Sequence, residues 1–168
     1  MKYKKVLVIG SGGTGKTYAV NKLKNLGINA VDADSVYGLI KWVDESGKTV
    51  PWPENPKKEW FKKYEFIWDK DTLNKLLEEL TELYLFGISD TAFEVTDLFD
   101  KVYYLTATPE LIKERLENRN RENPMGKTEE QKQLLIEALE KTKTKAEKLN
   151  LTPIEASLSP EEIYQIIQ

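Results

Sequence analysis

The sequence contains no histidine and no cysteine among its 168 residues. That removes whole classes of chemistry. No Ser–His or Cys–His nucleophile pair can be built, no thiolate or disulfide exists, and the usual ligands of zinc and haem are missing. Proton transfer is left to Asp, Glu, Lys or Tyr, and any metal must be a hard cation held by oxygen. Arginine is scarce as well. Of 25 basic residues only three are Arg, and Arg115, Arg119 and Arg121 all fall in one stretch. Lys is a mobile point charge, whereas the rigid Arg fork suits phosphate. Their clustering is either the accident of a Lys-rich composition or the mark of a phosphate-binding segment.

A formal charge of −3 argues against a protein that grips nucleic acid through its phosphate backbone. Long hydrophobic runs are also absent. The basic N-terminus leads only into Val6 to Ile9 before glycines intervene, too short for the apolar part of a signal peptide. No stretch approaches the ~18 apolar residues of a membrane span. The expectation is a soluble, cytoplasmic chain, monomer or homodimer, with no nucleic-acid or membrane partner. Its length fits a single domain over 1–168.

What is there reads as strands alternating with helices. Lys5 to Ile9 is a continuous, β-branched run, the pattern of a strand covered on both faces. A glycine-rich turn from Gly10 to Gly15 follows, then a helix from about Lys16 to Leu26 stopped by Gly27. Ile28 to Val31 predicts a second strand ending at Asp32-Ala33-Asp34. The segment from about Ser35 to Asp69 is the least regular, and it holds all four tryptophans, Trp42, Trp52, Trp60 and Trp68. Leu73, Leu76, Leu77 and Leu80 recur at helical spacing, predicting a helix from Asp71 to about Glu82.

Leu83 to Phe86, closed by Gly87, and Val102 to Leu105 are further strands, with a short helical stretch near Phe93 to Leu98 between them. Thr108-Pro109-Glu110 starts a helix whose core face is Leu111, Ile112 and Leu116. Thr128 to Gln131 is a capping box opening a long helix to about Leu149. A weak strand from Thr152 to Ala156 precedes a second capping box, Ser159 to Glu162, and a final helix. This alternation predicts an α/β three-layer sandwich: a sheet of about five mostly parallel strands with helices on both faces.

The strongest chemical signal is Gly10-Ser11-Gly12-Gly13-Thr14-Gly15-Lys16-Thr17, which fits G-x-x-x-x-G-K-[ST] at every fixed position. Backbone N–H groups that curl around an anion need Cβ atoms out of the way, which explains the glycines. A helix beginning at Lys16 adds its positive dipole end. Lys16 can reach the outer phosphates of a nucleotide, and the Thr17 hydroxyl can ligate Mg²⁺. The plain alternative is a glycine-rich hairpin with an incidental Lys. A buried-type strand before the loop and a helix after it argue for the nucleotide.

Asp32 and Asp34 stand at the carboxyl end of the second strand, where open parallel sheets place their ligands. One carboxylate can serve Mg²⁺ and the other can take the proton of an attacking hydroxyl. Asp34 also precedes a helical stretch, where Asp is a favoured N-cap.

Together, the phosphate loop, Asp32-Ala33-Asp34, the run from Arg115 to Arg119 and the following Arg121 resemble the nucleoside-monophosphate-kinase-like P-loop kinases, with shikimate and gluconate kinases as near relatives. A closer likeness is to a bacterial branch labelled only as ATP-binding or kinase-like. Asp34 with Tyr37-Gly38 and Trp42, Gly87, and Asn123-Pro124-Met125-Gly126-Lys127-Thr128 carry that likeness.

The resemblance implies ATP and Mg²⁺ as cofactors. It implies a nucleotide-binding set of Gly10, Gly12, Gly13, Thr14, Gly15, Lys16, Thr17, Arg119 and Lys127, and a metal site at Thr17 and Asp32. Lys16, Asp34 and Arg121 would be catalytic, with Asp34 the acceptor-binding residue and base. The acceptor region would lie at about 35–70 and a lid at about 119–128. Two departures bear on the substrate. Shikimate kinases carry three consecutive glycines where this chain has Gly87-Ile88-Ser89-Asp90, and no Arg lies outside 115–121 to meet a carboxylate.

The chemistry of phosphoryl transfer asks independently for cations that close over the transferred group. Arg115 and Arg119, four residues apart with Glu114 and Glu117 nearby, also fit a solvated helix face. The tryptophans fit either an acceptor wall or core, and Lys41, Lys57, Lys58, Lys62 and Lys63 either contacts to an anionic acceptor or a solvated face. The resulting expectation is an ATP- and Mg²⁺-dependent phosphotransferase acting on a hydroxyl or phosphate of a small metabolite such as a nucleoside or nucleotide. A nucleotide-binding regulatory ATPase and a polynucleotide 5′-end kinase are the alternatives.

Overall fold

The computed structural model describes residues 4–117 and 127–168. Its first element is β1 (Lys4–Ile9), whose residues Val6 to Ile9 are wholly buried. It leads through the glycine loop into α1 (Lys16–Asn25) and then β2 (Ala30–Asp32), followed by a single 3-10 turn at Ala33–Ser35. Next come β3 (Ile40–Val43), α2 (Lys58–Lys63), β4 (Glu65–Trp68), α3 (Lys70–Glu79) and β5 (Glu82–Gly87). Two short 3-10 turns, Ala92–Glu94 and Thr96–Leu98, precede β6 (Lys101–Thr106). The chain continues through α4 (Pro109–Glu117), α5 (Glu129–Lys148), β7 (Thr152–Glu155) and α6 (Pro160–Ile167).

Five strands form one sheet in the order β2-β5-β1-β6-β7, and every pairing in it is parallel. Side chains alternate across the pleat, so β1 supplies a core to each face. Val6 and Val8 pack with Ala19, Val20 and Leu23 of α1 and Ile163 and Ile167 of α6. Leu7 and Ile9 pack on the other face with Leu73 of α3, Trp68 and Ala146 of α5. A third cluster, Ile112, Leu116, Leu135 and Leu139, joins α4 to α5. The expected sandwich is present, with helices on both faces.

The element boundaries show where local pattern gives way to tertiary structure. Leu80 is extended rather than helical, because the Lys5 ammonium reaches the carbonyls of Leu77 and Leu80 and ends α3 there. The helix therefore stops at Glu79, short of the expected Glu82, and β5 takes Glu82. The second strand begins at Ala30 rather than Ile28 and includes Asp32. The region expected to be irregular holds an antiparallel hairpin, with Trp42 opposite Phe66 and Ile40 opposite Trp68. Its strands are four residues each and are separated by a long connection, which hides them from any periodicity.

Ser159 and Glu162 form a full capping box at α6. At α5, Thr128 accepts from Gln131 N, but the Gln131 side chain takes the N–H of Lys127 instead of that of Thr128. Among the described residues no helix is long and apolar enough to cross a membrane.

Candidate active site

Gly13 and Gly15 have φ of 85° and 88°, the left-handed region that a side chain would make costly. With those two reversals the loop between β1 and α1 closes on itself. The Thr14 hydroxyl donates to Ser11 O at 2.7 Å, and Lys16 Nζ donates to the same carbonyl at 2.9 Å. Gly10 N is tied to Gly87 O at 3.1 Å, which fixes the loop to the end of β5. Gly15 is the N-cap of α1 without any side-chain cap. The positive end of that helix's dipole lies at the loop.

Thr17, in the first turn of α1, donates its hydroxyl to Asp32 Oδ2 at 2.6 Å. Asp32 is buried, and its other oxygen accepts from Asp34 N at 3.0 Å. Asp32, not Asp34, is thus the cap of the turn that follows β2. This leaves the Asp34 carboxylate outside the cap, at the exposed edge of the crevice. Desolvation by the surrounding protein raises its pKa above the ordinary 3.8; Lys16 pulls it back down and Asp32 adds to the rise. The fold thus brings together the Lys16, Thr17, Asp32 and Asp34 expected from sequence. Arg119 and Arg121 lie outside the described residues, as does the expected lid apart from Lys127 and Thr128. Lys127 stands at the start of α5, its N–H donated to Gln131.

Arg115, which its helical spacing left undecided, has a specific post. It donates from Nη1 to Thr14 O at 2.9 Å and from Nη2 to Ala156 O at 2.7 Å. One guanidinium thus joins the phosphate loop to the turn beyond β7, a use suited to the planar fork and unavailable to Lys. No fixed sequence spacing links Thr14, Arg115 and Ala156, so nothing in the pattern announces this bracket.

Beside the carboxylates, the hairpin of β3 and β4 is pinned to the end of β5. Asp90 exchanges two bonds with Phe66, N to O at 2.7 Å and Oδ2 from N at 2.9 Å, and Thr91 Oγ1 accepts from Trp68 N at 3.0 Å. The Trp68 ring belongs to the main core and passes so close to Gly87 that a Cβ there would sit 2.7 Å from it. Its Nε1 is buried with no partner among the described residues. The other tryptophans form a separate cluster, with Trp42 centred 4.7 Å from Trp60, 4.8 Å from Phe66 and 5.8 Å from Trp52. Core therefore describes Trp68, while Trp42, Trp52 and Trp60 build a half-exposed aromatic patch under α2.

Among known proteins, a family described as AAA domain matches residues 6–143. No curated protein matches the sequence. Several solved structures share the fold at low identity. A shikimate kinase from Acinetobacter baumannii, in complex with shikimate, gives a TM-score of 0.61 at 20% identity over 99% of this chain and 94% of that one. A shikimate kinase from Bacteroides thetaiotaomicron gives 0.58 at 18%, over 98% and 96%. A gluconokinase from Sinorhizobium meliloti gives 0.50 at 15%, over 98% and 89%.

Proposed function

From the premise that this chain belongs to the AAA domain family and has the fold of the nucleoside-monophosphate-kinase-like P-loop kinases, we propose that it is a small-molecule kinase, transferring the terminal phosphoryl group of ATP to an acceptor hydroxyl or phosphate. One observation carries the reading. Lys16 and Thr17, at the end of the glycine loop after β1, meet Asp32 and Asp34 at the end of β2, the two strands lying parallel to β5 on either side of it, with Thr17 Oγ1 2.6 Å from Asp32.

In this reading the loop N–H groups and the α1 dipole hold the phosphates, and Lys16 leaves Ser11 O to follow the charge of the transferring group. Asp34 orients the acceptor and takes its proton as the new O–P bond forms and the bond to the ADP oxygen breaks. Thr17 and Asp32 offer only oxygens, the donor set of a hard cation, so these two residues would hold Mg²⁺, which neutralises phosphate charge when bound. Arg115 fixes the loop from behind. Arg119, Arg121 and Lys127 are the cations available to cover the phosphates.

A panel of nucleosides, nucleotides, sugars and organic acids tests this by acceptor-stimulated ADP release. At least one class should raise turnover well above slow ATP hydrolysis. Flat hydrolysis across the panel, with ATP still bound, would favour a regulatory ATPase instead, a reading the half-exposed aromatic patch also suits.

A further inference from the structure

α5 lies directly against the phosphate loop. A Cβ at Gly12 would come within 2.7 Å of Leu135 Cδ2, and one at Gly13 would meet Ile112 Cγ2 of α4 at 3.2 Å. Leu135 belongs to the buried stripe of α5, which runs through Gln131, Leu135, Leu139, Thr142 and Ala146. Gln131 heads that stripe, about one turn before Leu135, and is only 8% exposed. A leucine would suit such a place; a buried amide is tolerated there only where it is hydrogen-bonded.

Its partner is the informative part. With Thr128 as N-cap, Gln131 is the third residue of α5, where a Gln ordinarily returns to the N–H of the cap. Here its Oε1 accepts instead from Lys127 N at 3.2 Å, one residue further out, while Gln131 N donates to Thr128 Oγ1 at 3.1 Å. The backbone of Lys127 is thereby tied to the stripe that packs on the loop. Neighbouring carboxylates leave its charge alone. Glu129 is paired with Lys132 at 3.0 Å, and Glu130 accepts from Lys58 N at 3.2 Å. Among the described residues no ion pair engages Lys127.

Resting on the phosphotransferase reading, we propose that Gln131 is a positioning residue. Its amide oxygen holds the Lys127 backbone so that the ammonium meets the terminal phosphate of ATP. Lysine is a mobile point charge on a flexible stem, and a free backbone beneath it adds to what must be ordered when it meets an anion. The Gln131 bond fixes that backbone in advance.

Calorimetry with the Mg²⁺ complexes of ADP and of a non-hydrolysable ATP analogue tests this on the parent and four variants. The parent's preference for the analogue should fall fivefold or more in Lys127→Met and in Gln131→Met. The double variant should be no worse than Lys127→Met, because Gln131 acts only through Lys127. Thr128→Ala removes the ordinary cap of α5 and leaves the Lys127 bond, so it should lower the unfolding midpoint and keep the preference. Coupling is also reciprocal: the terminal phosphate must strengthen the bond as much as the bond strengthens binding. Hydrogen exchange of the Lys127 amide in the parent, which needs no variant, should therefore be several-fold slower with the analogue than with ADP. An unchanged preference in Gln131→Met, an additive loss in the double variant, an equal loss in Thr128→Ala, or Lys127 exchange indifferent to the terminal phosphate overturns the assignment. Acceptor-stimulated ADP release separates the two proposals. A Gln131-dependent preference without stimulation by any acceptor keeps the positioning role and removes the kinase. Stimulated release with an unchanged preference in Gln131→Met does the reverse.

Discussion

Asp34 sits where opposing influences meet, and its protonation exposes its role. Although the residue as a whole is exposed, partial desolvation of its carboxyl raises its pKa above 3.8, Lys16 lowers it and Asp32 raises it again. A carboxyl held above its unfolded pKa adds stability that is complete below 3.8 and is lost as pH rises through the folded value. Where it is ionised, Asp34 is therefore a small liability to the fold. Asp34→Asn should unfold at the same or a higher temperature than the parent at pH 7, yet lose about 10²- to 10⁴-fold in kcat as expected for a missing base. ATP affinity should stay close to that of the parent. Thermal scans and steady-state kinetics on one preparation check both halves. A residue retained only for structure would show the opposite pairing. The Asp34 carboxyl resonance followed by NMR should titrate above 3.8, and higher still in Lys16→Ala.

At the scale of elements, α3 is fastened at its start by one carboxylate. Asp69 accepts from Thr72 N and the Thr72 hydroxyl and from Lys41 Nζ, which together hold its pKa at about 2. Asp69→Ala should cost about 1 kcal/mol at pH 7, the usual loss of an N-cap, with little from the partly exposed ion pair. The carboxylate's contribution is present above 3.8 and is lost as pH falls toward about 2. Denaturant unfolding of parent and variant should therefore converge over that window.

Arg115 fastens α4 in a similar way. Arg115→Lys can keep only part of the bracket to Thr14 and Ala156, so it should cost about 1.5–3 kcal/mol, the range for a hydrogen bond to a charged group. ATP affinity should fall several-fold, read by calorimetry. These fastenings also mark what the sequence could reveal. The parallel strands are legible because being covered on both faces demands continuous β-branched runs, and Lys16 and Thr17 are legible because the loop motif is contiguous. Asp32 and Asp34 follow from their place at a strand end. The β3–β4 hairpin and the Arg115 bracket are not legible, since one joins two four-residue strands across a long excursion and the other reaches two backbone carbonyls far along the chain.

For the whole molecule, nucleotide binding must appear as stability. A ligand that binds only the native state at 100 times its Kd adds about 2.7 kcal/mol. ATP with Mg²⁺ should therefore raise the midpoint of unfolding, and Lys16→Ala should abolish the rise, measured from the variant's own ligand-free midpoint because Lys16 is buried and bonded to Ser11 O. Differential scanning fluorimetry over a range of ATP concentrations reads this directly. A shift that survives in Lys16→Ala would place the nucleotide elsewhere.

The sheet order has a consequence for how the protein is made. β1 is the middle strand, and both of its neighbours, β5 from Glu82 and β6 from Lys101, come much later in the chain. The middle strand thus leaves the ribosome well ahead of either partner. At translation rates of about 5–20 residues per second it waits roughly 5–20 s for a ladder on both sides. During that interval Val6 to Ile9 are a bare apolar segment followed by a loop of glycines that cannot shield them. The same centrality that buries Val6 to Ile9 completely in the finished protein leaves them open to chaperones, or to other nascent chains, while synthesis is under way.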